Sequence, residues 1–253
     1  MEHGSQKARY GVAIVTVLLA AAPAKAAELS YEVRHERALR DHSGTLTIGE
    51  KGVSYRQVRK KKPDQAEHVQ FDYRDIQELR ISAGRLVLVT YRDRKWLLGI
   101  DKEFEFFLPE GKSFEAAYTM LKDKLDRRFV AAIADTQADV LWELPVKLQG
   151  TIQGSEGVLT VARDRIVYKT ARPGQSRTWR YQDIENVSTT DRYQLTLTTF
   201  ERAKAHYGSR KGFNFQLKEP LEPQRFDALW RRLNQEQGLQ VLTAIEEETG
   251  RSK

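Results

Sequence analysis

Gly44-Thr45-Leu46-Thr47-Ile48, followed by Val53-Ser54-Tyr55, returns 113 residues later as Gly157-Val158-Leu159-Thr160-Val161, followed by Ile166-Val167-Tyr168. Two further stretches come back in the same order. Phe71-Asp72-Tyr73-Arg74-Asp75-Ile76 matches Trp179-Arg180-Tyr181-Gln182-Asp183-Ile184 at a shift of 108. Phe104-Glu105-Phe106-Phe107-Leu108 matches Phe213-Asn214-Phe215-Gln216-Leu217 at 109. A shift that wobbles only where turn residues lie is the mark of loop insertions in two copies of one unit. The sequence therefore reads as a tandem duplication with about 100 residues per copy, long enough for each to bury a core of its own.

Within each copy, apolar and polar residues alternate: Leu86-Val87-Leu88-Val89-Thr90-Tyr91 in the first, Gln194-Leu195-Thr196-Leu197-Thr198 in the second. Period two with β-branched and aromatic residues predicts half-buried antiparallel strands, about seven per copy, with tight turns at 49–52 and 162–165. The period then changes to that of a helix. Ser113 is placed to cap a helix carrying Phe114, Ala117, Tyr118, Leu121 and Leu125, and Pro223 opens another carrying Phe226, Leu229, Trp230 and Leu233.

Seven or so antiparallel strands closed by one amphipathic helix resemble the pleckstrin-homology (PH) superfold, and the motifs are most similar to its GRAM and bacterial PH-like branches. Gly44-x-Leu46-x-Ile48 with Gly157-x-Leu159-x-Val161, and Tyr73-x-Asp75-Ile76 with Tyr181-x-Asp183-Ile184, carry the resemblance. It implies a mainly β (α+β) chain of two tandem PH-like small barrels or sandwiches, each capped by a C-terminal helix. The expected division is a signal peptide at 1–26, a first domain at 27–134, and a second at 135–253 that includes the linker and a terminal helix. The segment 126–143, with Trp142, has no counterpart in the resemblance. Its apolar residues Phe129, Val130, Ile133, Leu141 and Trp142 predict a packed connection. Gly238 interrupts the terminal helix ahead of Leu239, Val241, Leu242 and Ile245, a stretch expected to pack on the neighbouring copy.

The first residues have the layout of a secretory signal: Lys7 and Arg9, an uncharged apolar run over 11–22, then the small-x-small triplet Ala24-Lys25-Ala26. Export and cleavage near Ala26 are expected, giving a periplasmic or secreted protein. Cleavage deletes Lys7, Arg9 and Lys25 against Glu2, so the formal charge of +7 falls to +5. The absence of cysteine excludes disulfides, thiolate metal sites and thiol nucleophiles.

Little in the sequence points to catalysis. Asp75 and Asp183 recur at one place in both copies, which suits turning the chain or accepting backbone hydrogen bonds better than a unique reaction. Tyr55, Tyr168, Phe71 and Trp179 repeat as core positions. His35, His42, His68 and His206 are dispersed, with no helical metal-binding pair, and no phosphate loop or nucleophile elbow occurs. No catalytic, cofactor or metal residue is therefore nominated.

Charge is the feature that architecture leaves unexplained. Arg56, Arg59, Lys60, Lys61 and Lys62 lie between two strands, and Arg92, Arg94 and Lys95 form a second cluster; Lys169, Arg172, Arg177, Arg202, Lys204, Arg210 and Lys211 answer them in the second copy. Such residues suit an anionic surface at about 1 kcal/mol each, or merely a solvated loop, since Asp64, Glu67 and Asp93 interleave. The expected function is an exported, non-enzymatic binding or scaffold protein whose partner is an envelope protein or peptide. Attachment to an anionic lipid or envelope surface is the alternative, and a hydrolase with a spatially assembled site is a third. Nucleic acid is not an expected partner for an exported chain of modest charge.

Overall fold

A computed structural model of the chain describes residues 28–36, 41–59, 66–94, 97–126, 128–150, 153–202 and 210–236. The expected signal peptide at 1–26, Lys60, Lys61, Lys62, Lys95, Lys204, His206 and the stretch beyond 236 lie outside the described residues, as does the expected terminal helix after Gly238.

The protein is mainly β. Its first half contains β1 (Leu29–Glu36), β2 (His42–Ile48), β3 (Gly52–Gln57), β4 (His68–Asp72), β5 (Ile76–Ser82), β6 (Arg85–Arg94), β7 (Leu97–Phe107) and α1 (Glu115–Leu121). A short strand, β8 (Phe129–Ala132), follows. The second half contains β9 (Val140–Leu148), β10 (Ser155–Ala162), β11 (Arg165–Thr170), β12 (Arg177–Arg180), β13 (Ile184–Ser188), β14 (Gln194–Arg202), β15 (Arg210–Leu217) and α2 (Pro223–Glu236).

Hydrogen bonding links the strands in the order β13-β14-β15-β9-β10-β11-β12-β8-β5-β6-β7-β1-β2-β3-β4. The seven strands on either side of β8 follow the same internal order. The mainly β class is as expected, but the expectation of two small barrels or sandwiches with closed edges is corrected here: hydrogen bonding joins the described strands in one continuous open sheet. Between β4 and β5 the chain passes through a 3₁₀ turn (Tyr73–Asp75), and these two strands do not pair. The corner at Tyr181–Asp183 separates β12 from β13 in the same way. Closure would need a ladder across each corner, and β8 instead occupies one edge from each half.

Residues related by the repeat do the same work. Gly44 and Gly157 sit where a Cβ would come within 2.5 Å of the Tyr55 ring and 2.7 Å of the Tyr168 ring. The phenols beside them donate to the carbonyls of His42 (3.2 Å) and Ser155 (2.7 Å). Tyr73 and Tyr181 donate to Gly49 O (2.7 Å) and Ala162 O (2.6 Å), pinning each corner to the preceding hairpin. Thr90 and Thr199 donate to Lys102 O and Lys211 O, both at 3.2 Å. Glycine is required at 44 and 157 because an aromatic ring fills the space over the strand.

Two hydrophobic clusters result, one drawn from residues 33–133 and one from 144–233. Tyr55, Phe71, Tyr168 and Trp179 are buried in them, as their repetition predicts. The helices supply Phe114, Ala117, Tyr118 and Leu121 to the first cluster, and Leu229 and Leu233 to the second. Burying a large apolar side chain contributes about 1.5–3 kcal/mol. Ser113 accepts the Glu115 N–H at 3.2 Å, but it stands one residue ahead of the expected cap position: the N-cap of α1 is Phe114.

Candidate functional site

The connection between the halves is built as a strand. Phe129, Val130 and Ala131 are all buried, which a run of consecutive apolar residues allows only when both faces and both edges are covered. β8 lies parallel to β5, with Leu79 opposite Phe129 and Ser82 opposite Ala132, and the Leu79 N–H donates to Arg128 O at 2.9 Å. On its other side Ala131 faces Thr178 of β12 in an antiparallel bridge. The Thr178 hydroxyl donates to Ile133 O (2.7 Å) and accepts the Asp135 N–H (2.9 Å). Each half thus contributes a sheet edge that holds an extended segment. Of the other apolar linker residues, Ile133 is buried and Trp142 packs on the second core, while Leu141 is exposed.

A charged cluster locks this junction. Asp135, only 4% exposed, accepts hydrogen bonds from Tyr118 (3.0 Å), Lys122 (3.2 Å) and the Gln137 N–H (2.9 Å), and pairs with Arg165. Burial opposes its ionisation, but the donors of Gln137, Tyr118 and Lys122 and the Arg165 charge outweigh it, so the carboxyl is held below the usual range. Burial, then the Asp135 charge, pushes the Tyr118 phenol up. Nearby, Arg180 donates to the carbonyls of Lys122 (2.7 Å), Leu125 (2.5 Å) and Asp126 (2.8 Å), filling acceptors left open past the end of α1. Asp183 accepts the Arg180 N–H at 3.0 Å and its guanidinium at 2.9 Å. Burial pushes the Asp183 carboxyl up, with Arg180 opposing. Asp75, its repeat counterpart, is exposed and, among the described residues, has its one ion pair with Arg74, at 3.9 Å.

None of Asp135, Arg165, Arg180 and Thr178 was nominated from sequence. A signal was present in the mismatches of the repeat: Arg180 and Thr178 stand where the first copy has Asp72 and Gln70.

Two edges terminate the sheet, β13 at one end and β4 at the other. On β4, alternation settles which backbone groups face outward. The Gln57 N–H donates to Glu67 O (2.8 Å) and the Tyr73 N–H to Lys51 O (3.3 Å), so the odd residues bond inward to β3. His68, Gln70 and Asp72 therefore turn their backbone N–H and C=O away from β3. Gln70 is the counterpart of Thr178, the residue that faces β8.

The basic residues divide between the halves. Arg56 and Arg59 are exposed at the end of β3, and the Arg59 Nε donates to Gln57 Oε1 at 3.2 Å. Arg92 is exposed on β6, and Arg94 ends that strand. The strand registers bring the end of β3 and the tip of the β6–β7 hairpin to the same end of the first half. Arg56, Arg59 and Arg92 make no ion pair among the described residues. In the second half, Arg202 pairs with Asp101 (2.7 Å), Arg210 with Glu185 (3.4 Å) and Lys211 with Glu201 (2.8 Å), while Lys169 and Arg172 make no ion pair among the described residues. Arg177 borders a cavity of about 210 Å³ with Gln153, Ser155, Gln175 and Phe213. Burial lowers its pKa, opposed by Glu201, and two carbonyls, Gly174 O (3.0 Å) and Ser176 O (2.9 Å), accept from it.

An apolar groove of about 320 Å³ lies between β9 and α2, lined by Leu141, Trp142, Val161, Ala228 and Leu229. Among the described residues, no group of three or more His, Asp or Glu side chains is placed to hold a metal ion, and no helix is long and apolar enough to cross a membrane.

No protein-family model matches this chain, and no curated protein matches it. Among solved structures, the C-terminal domain of an unknown protein from Leishmania infantum is similar over 47% of this chain and 95% of its own, at 8% identity and a TM-score of 0.30. The Spt16D Pob3N heterodimer is similar over 69% of this chain and 84% of the matched chain, at 13% identity and a TM-score of 0.30. Both likenesses are too slight to show a shared fold.

Proposed function

We propose that this chain is an exported, non-enzymatic binding protein of two PH-like modules, 27–134 and 135–253, that takes an extended segment of an envelope protein or peptide as an added strand on β4. The observation that carries this reading is β8. The sheet edge at Thr178 accepts an extended segment antiparallel, and the same position in the first half, Gln70 on β4, has no strand beside it among the described residues. Main-chain hydrogen bonds to His68, Gln70 and Asp72 would supply affinity, and side chains at alternate positions would supply selectivity. Arg56 and Arg59, exposed on the neighbouring strand end, favour an acidic segment.

The test places a photoreactive residue at Gln70 of the full chain in cells, with Lys112 as an exposed position away from the edge. A discrete adduct is expected from 70 and not from 112. It is expected to disappear when His68→Pro removes an outward N–H without touching the β3 ladder. Equal adducts at both positions, or an adduct indifferent to the proline, would sink the strand-addition reading.

A second reading, attachment to an anionic lipid or envelope surface, is supported by the lack of ion pairs at Arg56, Arg59 and Arg92. It predicts salt-sensitive sedimentation of residues 27–253 with anionic but not neutral vesicles, lost when Lys60, Lys61 and Lys62 are all changed to Glu.

A further inference from the structure

We propose that the groove between β9 and α2 binds an acidic segment of another protein, held by an apolar side chain on the groove floor and by Arg225 and Arg232 at its rim. Trp142, Val161 and Leu229 form the floor and Leu141 and Ala228 the walls of a space of about 320 Å³. Val161 and Leu229 belong to the second core and Trp142 packs against it, so the floor is fixed by packing that the fold needs in any case. The wall is different: Leu141 is 42% exposed, and Val140 beside it 50%. Apolar surface left open over a fixed floor is what a docking place offers.

The wall is raised by a β-bulge. Glu143 opposes Thr160 and Trp142 opposes Val161, but the next residue of β10, Ala162, opposes Val140, so Leu141 is an extra residue without a partner across the ladder. A bulge bends its strand and re-aims the side chains around it. The first half builds the same ladder without one: Leu29 opposes Ile48, and the register runs unbroken to His35 opposite His42.

The two copies also differ at the rim. Ile48 is the counterpart of Val161, so Leu29 stands where the second half has Trp142. Phe114, Ala117, Tyr118 and Leu121 recur as Phe226, Leu229, Trp230 and Leu233 at a constant shift of 112, which sets Arg225 over Ser113 and Arg232 over Met120. Leu29 and Met120 both pack on the first core. The first half thus forms its ladder and closing helix with no bulge and with neither arginine. All these departures of the second half meet at one groove, and the fold does not require them.

Charge selects the occupant. Arg225 and Arg232 make no ion pair among the described residues; Arg232 Nη1 donates to the neutral Arg163 O at 3.1 Å. The acids of the adjoining strands are engaged elsewhere, Asp139 with Arg163 at 2.5 Å and Glu143 with the Thr160 hydroxyl at 2.7 Å. Asp227, two residues from Arg225, turns to another side of the helix. An apolar groove with a positive rim complements an apolar side chain flanked by carboxylates. Spacing favours a peptide over a lipid. Seven residues of α2 separate the arginines by about 10 Å along the axis. An extended segment reading acid-x-apolar-x-acid sets its three side chains on one side over about 13 Å, and the long arginine stems close the difference. A fatty acid carries charge at one end only and would leave one arginine without a partner.

The experiment titrates the full chain into a fluorescein-labelled, end-capped peptide, Ser-Glu-Ser-Leu-Ser-Glu-Ser, followed by anisotropy. Saturable binding is expected. Arg225→Glu/Arg232→Glu is expected to weaken it about tenfold and to reverse the preference, so that the peptide with Lys in place of Glu binds the variant better. Ala228→Trp fills the groove from an exposed position and is expected to weaken binding by a similar factor. His68→Pro, which disturbs the β4 edge, is expected to leave the affinity unchanged, so the outcome here is separate from that of strand addition. No binding to the unmodified chain, the result if residues 237–253 cover the groove, would overturn the proposal. Equal affinity for the two peptides, or an Ala228→Trp variant that binds as before, would do the same. Displacement of the peptide by an equal concentration of dodecanoate would assign the groove to a lipid instead and overturn it as well.

Discussion

The phenol of Tyr118, on the helix that closes the first half, donates to the carboxylate of Asp135 at 3.0 Å. Lys122 and Arg165 reach the same carboxylate from the two halves, so one buried acid neutralises two cations. Asp135→Asn would leave those cations without their shared counter-charge. Loss of one partner from a buried ionic group costs about 3–5 kcal/mol, and the low end is expected because Arg165 retains Asp164. Urea denaturation should show the loss as a lower midpoint. An unchanged midpoint would remove the cluster from the account of the junction.

The pH dependence of the junction follows from the direction of the Asp135 shift. Its folded pKa is depressed, so its contribution is complete above the unfolded value of about 4 and is lost as pH falls through the lower folded value. Amide exchange across Phe129–Ala132 should therefore stay constant from pH 7 to 5, after correction for intrinsic rates, and accelerate only below about pH 4. Loosening between pH 7 and 5 would contradict this assignment.

Gly44→Ala and Gly157→Ala should each be severe. A Cβ would lie 2.4 Å from Arg56 O at the first site and 2.2 Å from Lys169 O at the second, with a tyrosine ring close by in each case. Overpacking of this kind costs about 1–3 kcal/mol or more. Gly84→Ala, which meets no atom within 4 Å, should be close to neutral by thermal melting.

Tyr168→Phe removes a hydroxyl that lies 2.7 Å from Ser155 O and 2.8 Å from Ser155 Oγ. Two buried groups then lose a partner, and about 1–3 kcal/mol of stability should go with them. Tyr55→Phe, whose phenol makes the longer 3.2 Å contact to His42 O, should cost less. A larger effect at Tyr55 would overturn this ranking.

Limited proteolysis should spare the connection between the halves. Arg128 is tied to Tyr73 O and Ile76 O, both at 3.3 Å, and the strand that follows it is paired on both sides. Trypsin should cut exposed loops before it releases two separate halves. Rapid release by cleavage at Arg128 would show that β8 is not held.

Period-two runs and two helical stripes were legible in the sequence because a half-buried strand and a one-sided helix impose their spacing on every residue. The core roles of Tyr55 and Tyr168 were legible because they recur. Phe129-Val130-Ala131 was readable only as an apolar linker, since a strand buried on both faces shows no alternation. Barrel closure was misjudged for a related reason: alternation tells which face is buried and carries nothing about which edges meet. Arg202 looked available because its partner is remote in sequence, Asp101 lying 101 residues away. Asp135 and Arg180 escaped notice because a search guided by repetition passes over what only one copy has.

The bridge from Ala131 to Thr178 sets an order of events on a growing or emerging chain. The first half and β8 are complete by residue 133, but the strand that covers β8 begins at Arg177. For more than forty residues of synthesis, the first half carries a bare apolar strand on its flank. That is the condition under which edges find wrong partners. The interval between β8 and β12 is therefore when a chaperone, or a neighbouring copy of the chain, has its chance to intervene.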